Sequence, residues 1–165
     1  MRVAGLSVAS LLAATAWIVV TLGSGAALTT LGPWYRALHK PPWQPPDWLF
    51  GPAWTLIFAL AASVAVIAWN APAASAETRT TLALAFIANS ALNVLWSFLF
   101  FYLRHPDWAL IEVGALWASI FLMMWAARPG AGRIALLLLP YLAWVSFASI
   151  LNLAIVRLNP VTANP

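Results

Sequence analysis

The chain reads as an all-α protein, an integral membrane bundle of five transmembrane helices, and three observations predict it. Of its 165 residues, 64% are hydrophobic and only 7% are charged, against about 25% charged in ordinary globular domains. Its mean hydropathy is +0.88. Five apolar runs are long enough to cross the roughly 30 Å hydrocarbon layer, which takes about 20 helical residues at 1.5 Å each. The backbone polar groups of a lipid-embedded segment must be satisfied within it, so runs of this kind are helices.

The first run extends from Val3 to Leu22. It exceeds the 7 to 15 apolar residues of a secretory signal, which favours a retained span. The second runs from Trp48 to Trp69, the third from Thr81 to Leu103, the fourth from Trp108 to Ala127 and the fifth from Ile134 to Val156; Glu112 is the charged residue inside them. Turns are expected at Asn70 to Thr80, Arg104 to Asp107 and Arg128 to Arg133, where Gly, Pro or Asn interrupt the pattern. An odd number of spans puts the termini on opposite sides. Pro140, inside the fifth run, is expected to free the carbonyl of Leu136 and bend the helix or admit a water. The small residues Ala59, Ala61, Ala62, Ser63 and Ala65 in the second run, with Gly114 and Ala118 in the fourth, suit close helix approach and a homodimer.

The remaining segment, Gly23 to Asp47, is too short for a separate soluble domain, so one domain covers residues 1–165. Its distinctive part carries on into the second run as WYRALHKPPWQPPDWLFGPAW, residues 34–54, with four tryptophans and five prolines. Proline fixes φ and removes a donor, so the paired Pro41-Pro42 and Pro45-Pro46 stiffen this path. We read residues 32–47 as a rigid lid capping a ligand cavity. Tryptophan suits either a membrane interface or the face of a flat aromatic ligand.

Charge excludes several functions. The net charge of +4 comes from eight basic and four acidic residues, without the basic tract that grips nucleic acid; it fits attraction to anionic lipid headgroups. Arg2, Arg79, Arg128 and Arg133 oppose Arg36, Lys40, Arg104 and Arg157 across the membrane, so the excess of basic residues sets no orientation. There is no cysteine, and the two histidines, His39 and His105, lie in loops without carboxylates at ligand spacing. No metal site is expected. No nucleophilic triad, phosphate loop or paired-carboxylate site is visible, and no internal repeat supports an inverted-repeat transporter.

Polar residues inside the spans mark the candidate site, because groups costly to place in lipid face the interior. Asn89, Asn93, Trp96 and Phe100 share one stripe of the third helix; Trp108, Glu112, Ala115 and Ser119 one of the fourth; Tyr141, Trp144, Ala148 and Asn152, with Leu151 adjacent, one of the fifth. These three stripes converge on a common cavity that Trp54 closes.

Three blocks, WYRALHKPPWQPPDWLFGPAW, ALNVLWSFLFF at 91–101 and PYLAWVSFASILN at 140–152, resemble the tryptophan-rich sensory protein and translocator protein family, also called the peripheral-type benzodiazepine receptor family. The resemblance covers nearly the whole chain. It implies a five-helix bundle, commonly a homodimer, in a bacterial envelope membrane or an organellar outer membrane. It implies a receptor or sensor that requires no cofactor and binds porphyrins such as protoporphyrin IX, sterols and isoquinoline carboxamides. It implies ligand contacts at Trp54, Asn93, Trp96, Trp108, Ala148, Leu151 and Trp144, with Trp34, Trp43 and Trp48 as the loop tryptophans. It also suggests light-driven porphyrin breakdown, for which Trp54 and Trp144 would be the catalytic residues, or transport of porphyrin or sterol. His39 replaces the family's Gln or Asn, and Leu153 stands where the proposed cholesterol-recognition pattern needs a tyrosine. The C-terminal residues VTANP carry no address signal.

Overall fold

The computed structural model describes residues 2–3 and 5–160; the VTANP tail lies outside them. Five long helices carry the architecture: α1 (Val8–Leu28), α3 (Phe50–Asn70), α4 (Ala76–Ser97), α5 (Pro106–Ala131) and α6 (Leu139–Leu158), with a short α2 (Pro33–Ala37) in the first connection. A two-residue pair of strands, β1 (Arg2–Val3) and β2 (Leu6–Ser7), precedes α1. Four continuous helical segments are long and apolar enough to cross a membrane, and the last, Pro106–Leu158, spans 53 residues. That segment folds back at Gly132, whose φ of 55° suits glycine, so α5 and α6 pack against each other. α5 is the central helix, touching α3, α4 and α6. Phe58, Ile120, Met123, Leu138 and Val145 fill the middle of the bundle, while Leu12, Val19, Leu84, Ile111 and Ile150 face outward.

Several boundaries differ from the sequence reading. The first span is displaced: α1 starts at Val8 and continues through Gly23, Ser24, Gly25 and Ala26 to Leu28. Small residues that signal a break in water remain helical in lipid, where a freed amide has no other partner. A side chain on Gly25 would touch Ser97 Oγ at 3.8 Å, so the small face lets α4 draw near. Thr29 ends α1 by turning its N–H and Oγ1 back onto the Gly25 carbonyl, at 3.0 and 2.8 Å.

The turn expected at Arg128 to Arg133 is still helical through Ala131, with Pro129 inside α5. Gly130 lies flush on the backbone of Ala68 in α3, where any Cβ would collide with it. Pro140 does not bend a continuous helix. Residues Gly132–Leu138 form a 3-10 helix, α6 begins at Leu139, and Pro140 sits in its first turn. The Leu136 carbonyl accepts from the Leu139 N–H instead, a tighter bond that does without the missing proline donor.

Ser75 Oγ caps α4 by accepting from Thr78 N–H at 3.1 Å. At its other end α4 widens into a π-type turn, Phe98–Tyr102. The chain then stops at Arg104, which takes up φ 59°, the left-handed conformation common at helix C-termini. Of the small residues singled out, Ala61 and Ala62 are buried and Ala65 is half-buried, whereas Ala59, Ser63, Gly114 and Ala118 are exposed.

Candidate functional site

Beneath the first connection lies a cavity of about 340 Å³, lined by all five long helices and by five residues of the connection, Thr29, Leu31, Tyr35, Gln44 and Asp47. Its walls are mainly apolar. The indoles of Trp54, Trp96 and Trp144 and the rings of Phe50, Phe58, Phe100 and Phe101 supply them. The π-type turn sets Phe100 and Phe101, consecutive in the chain, on one wall. Trp54 is the hinge of this aromatic lining, with centroids 5.2 Å from Phe58, 5.8 Å from Tyr141 and 6.4 Å from Trp144. Trp96 stacks on Phe100 at 5.0 Å.

Of the residues singled out by sequence, Trp54, Asn93, Trp96, Trp144, Ala148 and Leu151 lie on this wall. Asn89 and Tyr141 lie beneath it, wholly enclosed. Tyr141 donates to Asn89 Oδ1 at 3.0 Å, Asn89 Nδ2 donates to Ser119 Oγ at 2.8 Å, and Asn93 Nδ2 donates to Tyr141 at 3.3 Å. The chain of bonds ties α4, α5 and α6 together under the cavity floor.

Glu112 is also buried off the wall, and neither carboxylate oxygen has a protein partner. Trp108 is 51% exposed and stacks on His105 at 4.4 Å, outside the cavity. The expected stripe on the fourth span therefore splits, with Trp108 and Ala115 facing out and Glu112 and Ser119 facing in. Positions at i, i+4, i+7 and i+11 share a stripe only about one helix face wide, and the interior face runs through Val113, Leu116 and Ile120 instead. In the connection, Trp34 packs on Phe100, Trp43 meets the edge of Phe147, and Trp48 is 71% exposed. None of these three lines the cavity.

The lid is held at two places that the sequence did not signal. Tyr35 donates its hydroxyl to Asp47 Oδ1 at 2.7 Å, and Gln44 Nε2 reaches both atoms, at 3.2 and 3.3 Å. Lys40 Nζ stands 3.5 Å above the Tyr35 ring, a cation–π contact. Burial, reinforced by the hydrogen bond and charge of Asp47, raises the Tyr35 pKa well above the ordinary phenol value, so the hydroxyl stays protonated and remains the donor. At the far side, Asn159 clasps the backbone of His39 in both directions, accepting from its N–H and donating to its carbonyl at 2.9 Å each. These pairs are 12 and 120 residues apart and follow no period.

The cavity's chemistry is that of an apolar slot with few polar points. Trp96 Nε1 and Gln44 Oε1 are buried without partners, one unused donor and one unused acceptor. No Lys, Arg or His lines it, and Asp47 is its charged residue. Arg36 and Lys40 stand behind the lining, on the Leu31 carbonyl and the Tyr35 ring. Among the described residues, no group of three His, Cys, Asp or Glu could hold a metal ion.

Comparison with known proteins agrees with this architecture. The model of the TspO/MBR family matches residues 6–158. The chain is 40% identical over 153 residues to the tryptophan-rich protein TspO of Archaeoglobus fulgidus, covering 92% of this chain and 95% of that one. It is 36% identical over 123 residues to the translocator protein of Bos taurus, covering 72% and 70%, and 33% identical over 126 residues to the tryptophan-rich sensory protein of Cereibacter sphaeroides, covering 76% and 77%. With a family model matched over nearly its whole length and the apolar helices to cross a bilayer, the chain is an integral membrane protein and belongs to the TspO/MBR family.

Proposed function

We propose that the protein is a membrane receptor or sensor for flat, largely apolar ligands, with porphyrins such as protoporphyrin IX as the leading class and sterols or isoquinoline carboxamides as further candidates. The observation that carries this reading is the indole-walled cavity under a latched lid. A cavity of about 340 Å³ is at the small end of ligand pockets, and aromatic rings contributed by α3, α4 and α6 suit a planar aromatic guest. Because no cation lines the slot, the propionates of a porphyrin would stay at the mouth, where Arg36 and Lys40 stand behind the lining. The relatives' names, sensory protein and translocator protein, fit a ligand-responsive membrane protein.

Titration of the purified protein with protoporphyrin IX, followed by tryptophan quenching, tests this. Trp54→Phe and Trp144→Phe should each weaken binding about two- to ten-fold, the worth of an aromatic contact. Trp108→Phe, outside the slot, should leave it unchanged. Equal affinity in all four proteins would refute the reading.

One observation favours a second activity at the same site. Trp54 and Trp144 touch each other and both face the slot, so an indole held against a photoexcited macrocycle could give up an electron while dioxygen serves as oxidant. Illumination that bleaches porphyrin no faster in the protein than in empty micelles would remove this reading.

A further inference from the structure

A second concavity lies in the other half of the bundle, at the end opposite the lid. It is a groove of about 350 Å³ between α1, α3 and α4, floored by alanines that include Ala13, Ala62 and Ala65 and walled by Trp17, Trp69 and Phe86. Two cross-links separate it from the cavity: Trp17 Nε1 donates to the Phe86 carbonyl at 2.9 Å, and Thr21 Oγ1 meets Ser90 Oγ at 2.6 Å. Ala62 to Trp69 spans seven residues of α3, roughly 10 Å along the axis. The groove thus descends from the interface toward the bilayer centre.

Its outer end is polar, and the polar groups there differ in what they have left to give. Asn70 is saturated: it accepts from Ser7 N–H and donates to Ser10 Oγ and the Val66 carbonyl, each at 2.8 Å. Arg79 is not. Its Nε donates to the Trp69 carbonyl at 3.0 Å, which fixes the guanidinium beside a groove wall, yet among the described residues no carboxylate lies within 4 Å of it and its terminal N–H groups have no acceptor. The nearest acid in the chain, Glu77, is exposed two positions earlier, and residues at i and i+2 point to different sides of a helix.

We propose that this groove is a lipid site: one acyl chain of an anionic phospholipid lies on the alanine floor, and the headgroup phosphate sits on the free N–H fork of Arg79. Planar guanidinium donors match phosphate oxygens, and this end of the molecule also carries Arg2, Arg128 and Arg133, which favours a headgroup with net negative charge. A second copy of the chain is the competing occupant, and oligomeric state separates the two.

Native mass spectrometry of the detergent-solubilised protein, titrated with dioleoyl phosphatidylglycerol or dioleoyl phosphatidylcholine, tests the site. The wild type should retain one phosphatidylglycerol per chain in preference to phosphatidylcholine. Arg79→Gln should lose about five-fold of that preference, and Arg79→Lys should keep most of it. Ala13→Phe, at an exposed position of the floor, should lower retention of both lipids. Equal retention of the two lipids by the wild type overturns the proposal, as does an unaltered preference in Arg79→Gln. A change of oligomeric state in Ala13→Phe with lipid retention intact would assign the groove to a second copy of the chain and overturn it too.

Discussion

Tyr35→Phe removes one atom from the lid and isolates the latch. The lost bond, 2.7 Å from the hydroxyl to Asp47 Oδ1, is charge-assisted, and such bonds contribute about 1.5–3 kcal/mol where water cannot replace them. Here it can, because Asp47 is exposed. The Gln44 amide still reaches the carboxylate at 3.3 Å, the ring still fills its buried place, and the Lys40 contact needs only the ring face. We therefore set the loss near 1 kcal/mol, about a five-fold rise in the open-lid population. Hydrogen exchange should show it: the Gln44 amide, held by the Pro41 carbonyl at 3.0 Å, should exchange about five-fold faster, while amides in the middle of α5 keep wild-type protection. Asp47→Asn should reproduce most of the effect, and the double variant should fall short of additivity by about 1 kcal/mol. Wild-type exchange in the loop of Tyr35→Phe would refute the latch. A matching acceleration in α5 would refute it as well, by showing that the hydroxyl supports the whole bundle rather than the lid.

The same latch has a predictable pH range. Because folding raises the Tyr35 pKa, its contribution is complete below the ordinary phenol value of about 10 and declines as pH rises above that; lid protection, corrected for intrinsic exchange, should be constant on this account from about pH 6 to about 9 and weaken beyond about 10. Gly130→Ala should destabilise the bundle by about 1–3 kcal/mol or more, since the new methyl meets the immovable backbone of Ala68, whereas Gly114→Ala, which points into open space, should be near neutral in the same unfolding assay. Asn89→Leu strands the buried Tyr141 hydroxyl without its acceptor and should cost about 0.6–1.7 kcal/mol. Adding Tyr141→Phe should recover little of that loss, because it removes the stranded hydroxyl but leaves Asn93 Nδ2 without its acceptor.

What the sequence made legible follows from which constraints are periodic. Lipid forces every amide of a span into a helix, so five apolar runs can be counted, and α4 with the π-type turn that follows it holds Asn89, Asn93, Trp96 and Phe100 on the interior side. The same constraint explains why α1 ends at Leu28 rather than Leu22: in lipid the helix keeps its bonds through Gly23 to Ala27, and the missing side chain of Gly25 lets it approach Ser97. The tryptophans were ambiguous for a different reason. One indole satisfies an interface and a ligand wall equally well, and composition cannot say which way a ring faces; Trp48 and Trp108 face out while Trp54 and Trp144 face in. What separates them is packing: Phe58 and Tyr141 form a shelf that Trp54 rests on, whereas Trp108 stacks on His105 at the surface. The lid is the limiting case. Proline rigidity was readable, but a stiff segment closes a cavity only if something pins it. The pins, Tyr35 on Asp47 and Asn159 on His39, are local contacts whose partners the fold brings together. Stiffness then concentrates the lid's opening at those few bonds, which is why removing one hydroxyl is expected to act on the whole connection.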